Sequence, residues 1–421
     1  MDIMEKLKSH ECWLEFLEYR MSRMNMSKKE TDDLRSFVEN REYLPCIEKI
    51  GQGIPFSTPR LIEVSKRGTG KKRNVFSFER DENYVLKMIF FLLKEYDHLF
   101  SENLYSFRND TGAKKAVNRI LEGTFTGKAY TYKADIHDYF NSINTDVILD
   151  ILEEKMPEEK GLRSFFESLF SDPFAVKDDE KIELKKGVMA GTATAGFFAN
   201  LYLADLDRYF EDNNVLYARY SDDIIVISSD PENIREYEMI IKDFLRGKGL
   251  EINPEKEIRT VPGERMEFLG FELTDGEVNI SDVAERKIKD KIRRKARAIY
   301  RWKLRKNAED KWAARAFIKY LNRKFYLNTL KDDLTWCRWY FPLLTTDSKL
   351  KSIDDYAVSC IRYLYTGKHG KKNYNLRYSD IQAMGYRSLV NNFWKYKEGR
   401  YEAEGNSGMA SKGKGVRARF P

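Results

Sequence analysis

The run Tyr220-Ser221-Asp222-Asp223 lies between two apolar segments, Val215-Leu216-Tyr217-Ala218 and Ile224-Ile225-Val226-Ile227. This pattern reads as strand, tight turn and strand, a β-hairpin with two carboxylates at its tip. Paired carboxylates on an ordered hairpin are what a magnesium site for phosphoryl transfer needs. Hard oxygen ligands suit a hard cation, and a rigid scaffold fixes the ion against substrate phosphates. An Asp-Asp pair by itself is also the ordinary composition of a solvated turn. The reading gains weight only with a third carboxylate, a residue that senses the sugar, and a basic groove elsewhere in the chain.

The length of 421 residues exceeds one typical domain and allows two or three packed units. The formal charge is only +7, but it is unevenly spread. Residues 286–306 hold twelve Lys and Arg against the single acid Asp290, and residues 66–73 hold five basic side chains. Acids gather elsewhere, at Glu153-Glu154, Glu158-Glu159 and Asp178-Asp179-Glu180. Such asymmetry favours a polyanionic partner on one surface. The four cysteines are scattered with no Cys-x-x-Cys pair, so neither a zinc site nor a disulfide framework is expected. Acids near the N-terminus argue against a signal peptide, and no apolar run is long enough to span a membrane. A reducing, cytoplasmic setting is the resulting expectation.

Along the chain, residues 1–50 read as amphipathic helix, with Trp13, Leu14, Phe16 and Leu17 on an apolar stripe. Leu61–Val64 and Asn74–Phe78 read as strands joined by a basic turn with Gly68 and Gly70. Residues 81–97 return to helix, Thr131–Ile136 to strand, and Asn144 or Thr145 caps a helix to about Lys155. Gly191 and Thr192 are expected to open a helix, residues 231–248 form another, and Met266–Leu273 reads as one strand. From 281 to about 327 the pattern is helical and basic, and further helix runs to about 400. This irregular alternation suits an α+β unit with a mostly antiparallel sheet better than a doubly wound one.

Asp135 ends the strand that begins near Tyr130. If it neighbours Asp222 across a sheet, the two carboxylates can hold two Mg2+ ions about 3.5–4 Å apart, which carry the developing charge of an in-line phosphoryl transfer. Successive strand residues face opposite ways, so Asp222 is expected to be the fuller metal ligand and Asp223 to tune the site.

Asp135-x-x-x-x-Phe140, the glycine at 191, Tyr220-x-Asp222-Asp223, Gly249-Leu250-Glu251-Ile252-Asn253-Pro254-Glu255-Lys256 and Phe268-Leu269-Gly270-Phe271 together resemble the ordered motifs of reverse transcriptases. The likeness covers roughly residues 55–275. It implies an α+β right-hand polymerase fold, with fingers, a palm built on an antiparallel sheet, a helical thumb, and α-helical N- and C-terminal extensions. The expected division is a helical extension over 1–50, fingers and palm over 51–280, a basic thumb over 281–330, a helical extension over 331–405 and a tail over 406–421. By position, the resemblance implies that Asp135, Asp222 and Asp223 are the metal-binding acids, with the Ile136 carbonyl assisting. Lys256 matches a lysine that donates a proton to the leaving pyrophosphate. Lys66 and Arg73 match residues that grip the triphosphate, a task suited to an ammonium point charge and a guanidinium fork. Phe140 matches the bulky residue that rejects a 2′-hydroxyl, and Gly191 belongs to the nucleotide-binding turn. Phe268, Leu269 and Gly270 match the grip on the primer, and Arg108, within Tyr105-Ser106-Phe107-Arg108, falls near the template. Arg293, Arg294 and Arg297 lie where a thumb contacts duplex phosphates.

The chain departs from the family pattern at Met189-Ala190-Gly191, where most relatives carry Pro-Gln-Gly. The Ser-Pro that usually follows is absent, as are the Val-Thr-Gly of retron enzymes and a nuclease tail. These departures point to the bacterial uncharacterised-group and abortive-infection reverse transcriptases, many of them linked to antiphage defence. The partners then expected are an RNA template, in the form of a structured non-coding RNA, nascent DNA and deoxynucleoside triphosphates, with no membrane. Alternatives are a mobile-element enzyme of the group II intron kind, a template-independent abortive-infection polymerase, and a non-catalytic RNA scaffold.

Overall fold

The computed structural model describes residues 2–23, 26–65, 72–108, 111–124, 128–274, 276–326, 336–367 and 375–400. The chain divides into two compact units, Met1–Ser281 and Asp282–Pro421. The residues expected as thumb and as C-terminal extension share the second unit.

The strands of the first unit are β1 (Arg60–Ser65), β2 (Lys72–Ser77), β3 (Tyr130–Asp135), β4 (Phe174–Lys177), β5 (Glu180–Glu183), β6 (Leu216–Tyr220), β7 (Asp223–Ser228), β8 (Ile258–Thr260), β9 (Met266–Phe268), β10 (Phe271–Thr274) and β11 (Glu277–Ile280). They form three sheets, ordered β2-β1-β4-β5, β6-β7-β3-β8 and β11-β10-β9. In the second of these every neighbouring pair is antiparallel. Ile224, Ile225, Val226 and Ile227 of β7 are all buried, as a short unbroken apolar run in a central strand should be. The helix Pro231–Gly247 packs against β3 and β7. It starts where Pro231 follows Asp230, whose side chain accepts from the Glu232 N–H; the missing proline N–H is one that a first turn leaves unpaired anyway.

The N-terminal helices belong to the first unit. Trp13 is fully buried, stacks on Tyr43 at 4.3 Å and donates its indole N–H to the Leu7 carbonyl. The buried carboxylate of Glu159 accepts the Ile3 N–H and the Tyr96 hydroxyl, tying the first helix to the loop ahead of Lys160–Ser171.

Three sequence expectations are corrected. Met266–Leu273 is two strands, because Leu269 and Gly270 take φ of +48° and +90°. Phe268 pairs with Phe271 across this two-residue turn, and positive φ at both central positions is the type I′ hairpin. The helix expected at Gly191 starts instead at Ala195. Gly191 has φ +100°, and a Cβ there would meet Val75 Cγ1 at 2.2 Å, so its absent side chain serves close approach to β2. The helix expected from 281 to 327 is two, Asp282–Lys306 and Asp310–Tyr326, separated at Asn307, whose left-handed φ of +48° ends the first.

The second unit is a helical assembly whose remaining members include Ser348–Thr366 and Leu389–Lys397. Its buried Asp354 accepts the Tyr386 and Ser388 hydroxyls and the Leu389 and Val390 N–H groups. Burial pushes this carboxyl above its usual range, against the pull of those hydrogen bonds. Among the described residues no helix is long and apolar enough to cross a membrane.

Candidate active site

Register places the acids. Asp135 ends β3 directly opposite Asp223 at the start of β7. Tyr220 also pairs with Asp223, so Ser221 and Asp222 are the two-residue loop of the hairpin. Ser221 takes φ +61° while Asp222 stays out of the left-handed region, as in a type II′ turn. The Ile136 N–H donates to the Asp222 carbonyl at 3.1 Å, and the Asn253 N–H to the Asp135 carbonyl at 2.7 Å. The first bond joins the two ends that carry the carboxylates, and the second ties Asp135 to the segment ahead of Lys256.

Asp135 and Asp222 share a cavity of about 440 Å³ with Lys72, Arg73, Asn74, Ile136, Phe140, Ala190, Asn253 and Lys256, among others. Burial and then the neighbouring Asp135 charge push the Asp222 carboxyl above the usual range. Two acids crowded in one half-dry cavity are a cation site waiting to be neutralised. One cation is already present: Lys256 Nζ lies 2.5 Å from Asp135 Oδ1, with half of its side chain exposed. Asp223 turns elsewhere. Its Oδ1 lies 3.2 Å from Lys133 Nζ, and burial raises its pKa while that ammonium opposes the shift. Lys133 also donates to the Glu267 carbonyl at 3.0 Å, so it joins the acid pair to β9, next to the Phe268-Leu269-Gly270 turn.

Phe140 sits in the short helix Tyr139–Ser142, and its carbonyl accepts from Val188. A Cβ on Gly187 would lie 2.1 Å from that carbonyl, so glycine is required there. The Arg73 guanidinium lies 5.4 Å from the centre of the Phe140 ring, a cation–π distance. The residues expected to grip the triphosphate and to screen the sugar are thus in contact. Lys66 lies outside the described residues. Gly191 does not line the cavity, whereas Ala190 does. Arg108, expected near the template, is held within its own segment. Its guanidinium pairs with Asp97 at 2.8 Å and donates to the Ser101 and Leu104 carbonyls, with 9% of its side chain exposed. It braces the Ser101–Leu104 loop. Arg293 pairs with Asp290 in the second unit, while Arg294 and Arg297 are exposed there.

Beneath the Ser221-Asp222 turn lies a buried polar network that the sequence analysis missed. Arg219 and Asp207 are both wholly buried and paired, with Nε–Oδ1 at 2.7 Å and Nη2–Oδ2 at 2.5 Å. Arg219 also donates to the Ser221 and Asn200 carbonyls, at 3.2 and 3.1 Å. The Ser221 N–H donates to Ser106 Oγ, which itself donates to Asn200 Oδ1. Burial works against the Arg219 charge, but Asp207 more than offsets it and holds the guanidinium above its ordinary value. The available signal was a lone arginine inside an apolar strand. For Lys133 it was a charge two residues before Asp135, on the same strand face.

The Asp135 and Asp222 carboxylates on one cavity, which Ile136 and His137 also line, are hard oxygen donors that suit a divalent cation such as magnesium. Asp135 and Asp222 would hold the ions.

No curated protein sequence matches the chain. Similar solved structures include apo telomerase from Candida tropicalis, with TM-score 0.47, 11% identity and coverage of 81% of this chain and 62% of that one. A form of it truncated from the C-terminal domain gives TM-score 0.42, 15% identity and coverage of 54% and 56%. Telomerase from Candida albicans in complex with a TWJ fragment of telomeric RNA gives 0.43, 12%, 83% and 68%. The chain thus spans between about half and two thirds of these proteins' lengths. The family model described as reverse transcriptase (RNA-dependent DNA polymerase) matches residues 64–273, the stretch that contains the paired acids, Phe140 and Arg73. Residues 64–273 of the chain thus match the reverse transcriptase domain family, in a unit of α+β fold.

Proposed function

We propose that this protein copies an RNA template into DNA with two Mg2+ ions, and that its template is a structured non-coding RNA in a bacterial antiphage system. The observation that carries the polymerase reading is the main-chain register that brings Asp135 and Asp222 to one cavity with Arg73 and Phe140. Bound divalent ions supply Lewis-acid activation of a primer 3′-hydroxyl and neutralise triphosphate charge. The chain's own residues do the rest. Arg73 and Lys72 meet the triphosphate from β2 with charge-assisted hydrogen bonds. Phe140 fills the floor under the sugar and excludes a 2′-hydroxyl by contact. Lys256, beside Asp135, is within reach to give a proton to the departing pyrophosphate. Lys133 holds Asp223 and the strand leading to Phe268-Leu269-Gly270, so the turn that bears Asp222 and the primer grip keep one spacing.

The defence assignment is supported by the departures at Met189-Ala190-Gly191 and by a helical second unit after the palm. Ala190 supports a second reading, template-independent synthesis. It lines the cavity with a methyl group where relatives place an amide, and its carbonyl is spent on the Phe76 N–H. Incorporation assays with and without added RNA separate the two. Asp222→Ala with Asp223→Ala is expected to abolish magnesium-dependent deoxynucleotide incorporation. Equal incorporation by wild type and double variant would refute the polymerase reading. DNA that copurifies with wild type but not with the double variant is the product, and its sequence, set against RNA that copurifies with both, identifies the template.

A further inference from the structure

Tryptophan is the side chain a protein gains most by burying, yet Trp312 in the second unit is 55% exposed. It lies in the first turn of Asp310–Tyr326 and stacks on Trp302 of Asp282–Lys306, with ring centroids 5.0 Å apart and planes 28° apart. Trp302 is half-buried and covers one face of Trp312, so the remaining exposure belongs to the opposite face and edge. The left-handed Asn307 sets the tight link that brings the two rings together. Lys303, between them in sequence, is buried and committed to Asp310 and the Leu364 carbonyl. It braces the link and is not part of the surface.

The charge around the pair is mainly positive. Arg294, Arg297, Arg301 and Arg305 follow one another at three- and four-residue spacing along the first helix, and all are exposed. At 1.5 Å per residue this row is about 16 Å long, enough to follow several phosphates of a strand. Lys306, Lys311 and Arg315 add exposed positive charge on either side of the link. Among the described residues none of Arg301, Arg305, Lys306, Lys311 and Arg315 forms an ion pair, and Glu309 is the nearby acid left free in the link.

We infer that the Trp302–Trp312 stack is a base-stacking platform for an unpaired nucleotide of single-stranded nucleic acid, whose phosphates run along the arginine row. An aromatic face beside a line of unpaired cations matches a strand's two recognition elements, π-face and phosphate. An acidic protein surface would use the cations and leave the indole face without a role. The inference goes beyond the proposed function, because it concerns binding outside the cavity and needs no catalysis.

The test is fluorescence anisotropy on the full chain, with a labelled unstructured RNA strand and a matched strand of abasic residues. Trp312→Ala is expected to weaken binding of the RNA about tenfold, as loss of one base–aromatic stack does, and to leave the abasic strand unchanged. Trp312→Phe should retain most of the affinity. Arg301→Gln with Arg305→Gln should weaken both strands alike and reduce the slope of log affinity against log salt by about 1.4. Circular dichroism and melting of Trp312→Ala should match wild type, since the ring is exposed. Unchanged RNA affinity in Trp312→Ala, or equal weakening for the abasic strand, would overturn the inference and leave the surface to a protein or lipid contact. A chain with no polymerase activity but with Trp312-dependent stacking would retire the proposed function and leave this inference standing.

Discussion

Asp207→Asn tests whether the Ser221-Asp222 turn rests on the buried ion pair below it. The substitution keeps the side chain's shape and removes its charge. It leaves the Arg219 guanidinium, wholly buried, with neutral partners only. Removing one partner of a buried pair costs about 3–5 kcal/mol, because the surviving charge stays in low dielectric without compensation. For a unit of this size, each kcal/mol lowers the melting temperature by about 2–4 °C, so the expected drop is about 6–20 °C. Differential scanning calorimetry of the full chain reads it. Arg219 also donates to the Ser221 carbonyl, so the rate constant for incorporation should fall more than nucleotide affinity does. The companion is Asp207→Leu with Arg219→Met, which removes both charges. It should recover most of the lost stability but not the rate, because the turn has lost its donor. A melting shift under about 2 °C for Asp207→Asn, or a double variant no more stable than the single one, would refute the reasoning.

Phe140→Ala should reduce discrimination against ribonucleotides by about 10–200-fold, the range one steric contact supplies; competition kinetics with paired nucleotides measure it. Lys256→Met should lower the incorporation rate by about a hundredfold, as loss of a general acid does. It should also tighten Mn2+ binding in direct titration, because the ammonium beside Asp135 competes with the ion. Glu285 tests pH dependence in the second unit. Burial raises its pKa, but hydrogen bonds from Lys289, Ser352 and Lys349 outweigh that and bring it down to about 2. A depressed folded value contributes stability above the unfolded pKa and loses it as pH falls toward the folded one. Glu285→Gln should therefore melt lower than wild type at pH 7. The difference should shrink as pH drops from about 4.3, the unfolded carboxylate value, and a constant difference across that range would contradict the assignment.

Much of the palm was legible before any coordinates. The hairpin at 220–223, the strand ending at Asp135 and the capped helix Thr145–Lys155 follow from periodicity and cap chemistry, which are local properties. The hairpin at Leu269-Gly270 was not legible, because a left-handed leucine carries no compositional mark. The break at Asn307 was missed because helical spacing continues on both sides of it. The expectation for Arg108 came from its place in a motif, whereas its partner Asp97 and the carbonyls around it decided its role.

The sequence by itself determined the acids, their order and the hairpin at whose tip Asp222 sits, because alternation and turn chemistry act over a few residues. Only the tertiary structure decided that Asp223 faces Lys133, that Arg73 lies on Phe140, and that Arg219 and Asp207 support the turn from below. Each of these depends on the registers of β3, β6 and β7 and on a helix packed against them. Pairings between distant segments are fixed by the whole core and are not written in any one stretch of chain.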